Sequence, residues 1–336
     1  MQRIDRIAAA PEGTQDLSHL CQSLVGFLPA DRNFIPSAPG SLHAPAGIGL
    51  AHAPVILTKT QRSIILQGSH LQTVLFAFSA LALTVLPCST ATGELGNDSL
   101  YIPILVYHRF GPVVADSMTV TTPVFASQLK YLKENGYMVI PLRQFVAYRL
   151  GNAPPPPPHS VVITVDDAHQ SVYSHMLPLV RQYRIPVTLF VYPSAISNAS
   201  YALRWEQLRE LKETGLFEIQ SHTYWHPNFK QEKKRLPPEQ YEKLVERQLA
   251  KAKETLESKL GIHVDMLSWP FGIYDDELIK KAVEVGYITA VTLDRRHAST
   301  SDHIMALPRY LMTDGDRGKA FERLLSGSSS QRKVGY

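Results

Sequence analysis

The chain has 336 residues, 44% of them hydrophobic and 19% charged, and its 34 basic against 30 acidic side chains give a formal net charge of +4. This composition is globular and long enough for one barrel-sized domain or two ordinary ones, and no nucleic-acid motif accompanies the mild basicity. Its two cysteines, Cys21 and Cys88, exclude a disulfide framework and a thiolate metal site, so a metal would have to be held by oxygen and nitrogen.

Residues 1–58 are rich in Pro, Gly, Ala and Ser without a usable period, and are expected to be disordered or a mis-assigned extension. No acidic residue occurs between Asp31 and Glu94. Within that window Lys59 and Arg62 precede an apolar run from Leu71 to Pro87, the layout of a secretory signal, so residues 59–92 read as a signal peptide or membrane anchor. Because signals normally start a chain, either translation begins downstream of Met1 or the segment stays as an anchor. Residues 71–87 lie at the low end of the roughly 17–25 residues that a spanning helix needs. Pro87 stands where a lipoprotein signal would place a small residue before Cys88. The expected location is exported: periplasmic, cell-surface or membrane-anchored.

From Tyr101 strand-like and helix-like segments alternate. "YIPILVYH" is a strand, and "PVFASQLKYLKENGY" is a helix with Phe125, Leu129 and Leu132 on one face and Gly136 at its end. "YMVIP" returns as a strand, "LRQFVAYRLG" as a helix, and the prolines 154–158 form a stiff connector. Then come the strand "SVVITV", the helix "SHMLPLVRQYRI", the strand "VTLFVY", the helix "WEQLRELKETG" and the strand "LFEIQSH". A long charged helix runs from about Pro237 to Leu260, succeeded by the strand "VDMLSWP", the helix "DDELIKKAVEVG", the strand "YITAVTL" and a last strand near "IMALPRYLM". Strands separated by crossover helices pair in parallel, which predicts an α/β fold, a distorted parallel (β/α) barrel of about seven strands. The domain is expected over residues 95–320, with a flexible tail at 321–336.

In such barrels function gathers at the C-terminal ends of the strands. There the chain places Asp166 and Asp167, then His222 and His226 in "SHTYWHP", then "SWPFG" from Ser268 to Gly272. Two adjacent carboxylates repel, and each is costly to desolvate without a compensating cation or donor. One carboxylate with two imidazoles suits Zn²⁺ or another divalent first-row metal and leaves coordination positions open. Adjacent strand residues point to opposite faces, so the chain must kink after Val165 to bring both acids to one site.

"TVDD", "HTYWH" and "WPFG", in that order, resemble the first three motifs of the polysaccharide deacetylases, carbohydrate esterase family four, and "ILVYHRFG" resembles their first strand. The likeness spans about Tyr101 to Asp316 and is closest to the exported poly-N-acetylglucosamine deacetylases. It implies a distorted (β/α) barrel, with Asp166 as general base, Asp167, His222 and His226 as ligands of one divalent metal (zinc first, with cobalt, nickel or iron as alternatives), and Thr223, Pro270, Phe271 and Gly272 as substrate-binding positions. The implied reaction is removal of acetyl groups from an N-acetylated polysaccharide by attack of a metal-activated water. The pattern departs from the family at Ala168 and His169, where a turn glycine is usual, and at Ser268 and Trp269, where an Arg usually pairs with the base. The late His acid has no clear counterpart, since His303 precedes its strand. His108 at the end of "ILVYH" fits as the second catalytic residue or as a hydrogen-bonded structural histidine, with Arg309 and Asp314 as weaker candidates. Two other readings stay open: a non-catalytic carbohydrate-binding barrel, motivated by the missing Arg and His, and an Fe(II) oxygenase, which also uses two His and one carboxylate.

Overall fold

The structure is a computed structural model, and it describes residues 100–327. The expected N-terminal extension, the signal-like segment with residues 71–87, and both cysteines lie outside the described residues. Among those described, no helix is long and apolar enough to cross a membrane.

Among the described residues the strands are β1 (Tyr101–Ile102), β2 (Ile104–Tyr107), β3 (Arg109–Gly111), β4 (Thr119–Thr121), β5 (Met138–Ile140), β6 (Ser160–Val165), β7 (Val187–Val191), β8 (Phe217–Ser221), β9 (Met266–Ser268), β10 (Thr289–Val291), β11 (Ala298–Ser299) and β12 (Tyr310–Leu311). The helices between and after them are α1 (Thr122–Glu134), α2 (Leu142–Arg149), α3 (Leu177–Tyr183), α4 (Trp205–Glu213), α5 (Phe229–Arg235), α6 (Pro238–Leu260), α7 (Asp276–Val285) and α8 (Lys319–Leu325). The main sheet runs β10-β9-β8-β7-β6-β2-β12, every pair parallel. β5 pairs with the first half of β6 on the edge that β7 takes over further along. At the far end Leu307 bridges to Val291 of β10, while Tyr310 and Leu311 pair with β2, so one short segment touches both edges of the curled sheet. The seven-strand path agrees with the barrel read from the sequence.

Several local differences have simple causes. Pro103, which has no N–H to donate, splits the expected first strand, and β1 pairs antiparallel with β11 instead of joining the sheet. The short parallel ribbon of β3 and β4 and the helix α5 are absent from the sequence reading because they are too short to show a period. Where a tail is expected from residue 321, α8 continues the fold with Phe321, Leu324 and Leu325 buried.

Strand alternation sorts the apolar residues into two cores. Leu105, Ile163, Leu189, Ile219, Leu267 and Ala290 join the large cluster that includes the helices, for example Phe125 and Leu129 of α1 and Leu249 and Leu256 of α6. Their strand neighbours Ile104, Val162, Phe190, Met266 and Val291, with Leu307, form a second cluster on the inner face, into which α2 inserts Phe145 and Val146. The period of two extends to the strand ends. His108 shares the parity of Ile104, Asp166 that of Val162, Ser268 that of Met266 and Arg309 that of Leu307, so all four belong to the inner face.

The outer core sets most of the stability. Leu256 on α6 is fully buried in it, so Leu256→Ala is expected to lower the unfolding free energy by about 2–5 kcal/mol, read as a shifted urea midpoint with an unchanged slope.

Candidate active site

β6 ends at Val165, and Asp166 continues its parity, its backbone N–H bonding the carbonyl of Tyr107 at 2.9 Å. The chain then enters the left-handed region twice in succession, with φ of 71° at Asp167 and 54° at Ala168. This is the kink that the paired acids require, and an alanine adopts a conformation that glycine takes freely, at a cost of about 1–3 kcal/mol. Thr223 (63°), His226 (61°) and Phe271 (57°) are also positive. Five of the eight described non-glycine residues with positive φ thus surround one site.

The two acids meet different fates. Asp166 and Arg309 are both buried, 1% and 0% exposed, and form a two-pronged pair: Nη1 donates to Oδ1 at 2.9 Å and Nη2 to Oδ2 at 2.7 Å. Register explains the reach. Tyr310 pairs with Leu105, which pairs with Ile163, so Arg309 starts level with Val162 and its side chain climbs the inner face past Thr164, bonding Oγ1 at 3.1 Å. Its Nε is anchored on the Thr292 carbonyl at 2.9 Å, and the guanidinium lies 5.7 Å from the Phe190 ring centre. Ser268 completes the set, donating to Asp166 Oδ2 at 2.9 Å and accepting from Arg309 Nη2 at 2.8 Å. Burial pushes the Asp166 carboxyl up, but the Arg309 charge, with His222, the Arg309 hydrogen bonds and His108, outweighs it and holds the group well below the usual carboxylate range.

Asp167 faces the histidines instead. One donor atom from each of Asp167, His222 and His226 lies within 4.8 Å of the others, with Asp167 Oδ1 at 3.6 Å from His222 Nε2 and 3.9 Å from His226 Nε2. His222 Nδ1 is 2.8 Å from the Ser268 carbonyl, which can only accept, so Nδ1 carries the proton and Nε2 presents a lone pair to the cluster. Burial, only partly offset by Asp166, lowers both imidazoles to about 4, so they are neutral at physiological pH. One anionic oxygen and two neutral imidazoles, oriented in advance and leaving open positions, fit a divalent metal of the zinc type. Tyr192 and Phe271 flank the cluster, their rings 5.5 and 4.6 Å from that of His226.

The other expected residues separate. His108 is buried at the end of β2, its Nδ1 without a partner among the described residues, and it lies close enough to Asp166 and His226 to couple electrostatically with both. His303 sits beside the N-terminal end of β10, away from the site, since its neighbour Ile304 accepts from Thr289 and Ala290. Asp314 is bound to the backbone and hydroxyl of Thr121. Thr223 is fully buried, and its hydroxyl accepts from the His226 N–H at 3.3 Å, so it helps to shape the loop. Pro270 and Gly272 are buried as well, a Cβ on Gly272 meeting Leu293 N at 3.1 Å, so of that motif only Phe271 offers surface. The cation expected in the third motif exists after all, as Arg309, delivered by the last strand. Its signal in the sequence was a lone arginine inside the apolar run "MALPRYLM", which needs a buried acid.

A curled parallel sheet bearing at its C-terminal end a cluster that could hold a metal ion is an arrangement suited to metal-assisted hydrolysis. The polysaccharide deacetylase family model matches residues 153–290. A Bacillus subtilis protein named as a polysaccharide deacetylase, YxkH, is 28% identical over 220 residues, 66% of this chain and 74% of its own. The poly-beta-1,6-N-acetyl-D-glucosamine N-deacetylase of Staphylococcus epidermidis is 26% identical over 211 residues, 62% of this chain and 71% of its own. Among solved structures, the Streptococcus pyogenes deacetylase PplD in complex with acetate superposes with a TM-score of 0.60 at 22% identity, covering 68% of this chain and 99% of that one. IcaB from Ammonifex degensii gives 0.58 at 23% identity, covering 68% and 97%. The match to the polysaccharide deacetylase model thus spans the segment that carries Asp166, Asp167, His222 and His226, and the relatives and solved structures that this chain resembles are deacetylases.

The buried pair and the neutral imidazoles each make a stability prediction. Arg309→Met strands a buried carboxylate and is expected to cost about 3–5 kcal/mol, while Asp166→Asn combined with Arg309→Met recovers part of that loss, as a double-mutant cycle by urea denaturation would show. For pH, unfolded histidines titrate near 6.5 and these near 4, so between those values the unfolded chain binds more protons. Stability of the metal-free protein is therefore flat above about pH 6.5 and falls on acidification toward 4, with Asp166 adding to the loss below the ordinary carboxylate pKa. A series of thermal melts from pH 7.5 to 4 checks this.

Proposed function

We propose that this protein is an exported enzyme that removes acetyl groups from N-acetylglucosamine units of an extracellular polysaccharide, with one divalent metal, zinc by preference, held by Asp167, His222 and His226. The observation that carries the reading is the division of labour between neighbouring acids: Asp166 held ionised by Arg309, Asp167 turned toward two neutral imidazoles. The name of the Staphylococcus epidermidis relative supports the choice of polymer. Export rests on the signal-like segment 59–92, and membrane association on its apolar part, residues 71–87.

When bound, such a metal supplies Lewis acidity toward a carbonyl oxygen and makes a water acidic enough to lose a proton near neutral pH. The chain's own residues supply the rest. Asp166 Oδ2 lies 3.8 Å from His222 Nε2, so the carboxylate borders the ligand cluster. A carboxylate has about four acceptor positions, and Arg309 and Ser268 occupy three of those on Asp166, leaving one to take the proton of the attacking water. Arg309 fixes the orientation of that base and keeps it ionised. His108, with an unpartnered Nδ1 near Asp166 and His226, is placed to protonate the departing amine. Phe271 and Tyr192 offer flat faces beside the reacting position for a pyranose ring. The alternative of a non-catalytic carbohydrate-binding barrel loses one of its motives once Arg309 stands beside Asp166.

Acetate release from short N-acetylglucosamine oligomers by the zinc-loaded protein tests the proposal. Asp166→Asn is expected to retain zinc and lose activity by at least about a hundredfold, and His108→Gln to lower kcat with little change in zinc content. Full activity in Asp166→Asn would refute the assigned roles. Oxygen consumption with a 2-oxo acid would instead support the Fe(II) oxygenase.

A further inference from the structure

The loop between the two histidines begins and ends in the left-handed region, at Thr223 and His226, neither of them glycine. Such conformations persist only where the surroundings over-determine them. The loop's own bonds are long: Thr223 N to Ser221 Oγ at 3.2 Å and His226 N to Thr223 Oγ1 at 3.3 Å. From outside, Ser194 N donates to the Tyr224 carbonyl at 3.0 Å. Another hold comes from α6, read from the sequence only as a long charged helix. Trp225 N donates to Gln248 Oε1 at 2.9 Å, and one turn further on Lys251 Nζ lies 4.3 Å from the Tyr224 ring centre.

Gln248 is fully buried, and its Nε2 has no acceptor among the described residues. Reversing the amide would set NH₂ against the Trp225 N–H, two donors face to face, so the hydrogen bond fixes the orientation. The side chain thus leaves one donor buried and unpaired in order to present its single acceptor to the loop. An apolar side chain of similar shape would fill the space without stranding that donor, so packing alone does not account for a glutamine here.

We propose that Gln248 is a positioning residue for the metal centre: by fixing the backbone of Trp225 it sets where the next residue, His226, presents its imidazole to Asp167 and His222. This rests on the reading of those three residues as ligands. Partners behind metal ligands commonly govern affinity by about 10–100-fold, and here the partner acts through the main chain.

The test uses the full-length protein and zinc alone. Zinc affinity is measured by competition with a chromophoric chelator, and hydrogen exchange of the segment around Trp225 is monitored in the metal-free state, for wild type, Q248M, Q248E and L256A. Q248M is expected to bind zinc about tenfold more weakly and to exchange faster at Trp225, with a melting temperature close to wild type. Q248E, which keeps an acceptor oxygen in either protonation state, recovers most of the affinity. L256A, on the same helix, melts earlier yet binds zinc as wild type does. Wild-type affinity and exchange in Q248M, or an equal loss of affinity in L256A, would overturn the proposal. Wild-type protein that binds no zinc would overturn the ligand reading and this proposal with it, while the exchange rates would still report whether Gln248 holds the loop.

Discussion

Asp166 and Arg309 are opposite charges in a place where neither could stand alone. Both are buried on the inner face of the sheet, and each satisfies the other through two hydrogen bonds. Breaking such a pair costs far more than the pair itself contributes, because it leaves one charge without compensation. The pair also links β6 to the segment that carries β12, the two being separated by β2 in the sheet, so the electrostatics of Asp166 and the final pairing of the chain are one problem. Ser268 and Thr164 bring β9 and a further point on β6 into the same network.

The histidine side of the site is built on different physics. There the donors are neutral imidazoles and one partly exposed carboxylate, and what has to be enforced is geometry. Left-handed backbone at Asp167, Thr223 and His226 turns the side chains toward one point, and hydrogen bonds from neighbouring elements hold that backbone in place. Strain is tolerated here because the packed core beneath is large and regular: Val165, Val191, Leu267 and Trp269, at the strand ends around the site, are all buried in it.

The sequence determined a good deal by itself. Alternating strand and helix patterns gave a parallel α/β barrel, and the period of two along "SVVITVDD" required a kink where φ turns positive. Motif order gave Asp167, His222 and His226, which the fold gathers within 4.8 Å. Each of these is a local property, carried by residues close together in the chain or by a rule that every strand obeys.

Only the tertiary structure decided which cation serves Asp166, which faces His108 and Phe271 present, and what holds the histidine loop. Arg309 lies 143 residues from Asp166, and Gln248 lies 23 from Trp225 on a helix that the sequence marks only as long and charged. Pairings of that kind depend on strand register and on the length of a side chain climbing an inner face, neither of which leaves a periodic trace. The same holds for the burial of Thr223, Pro270 and Gly272, which their motif positions did not reveal.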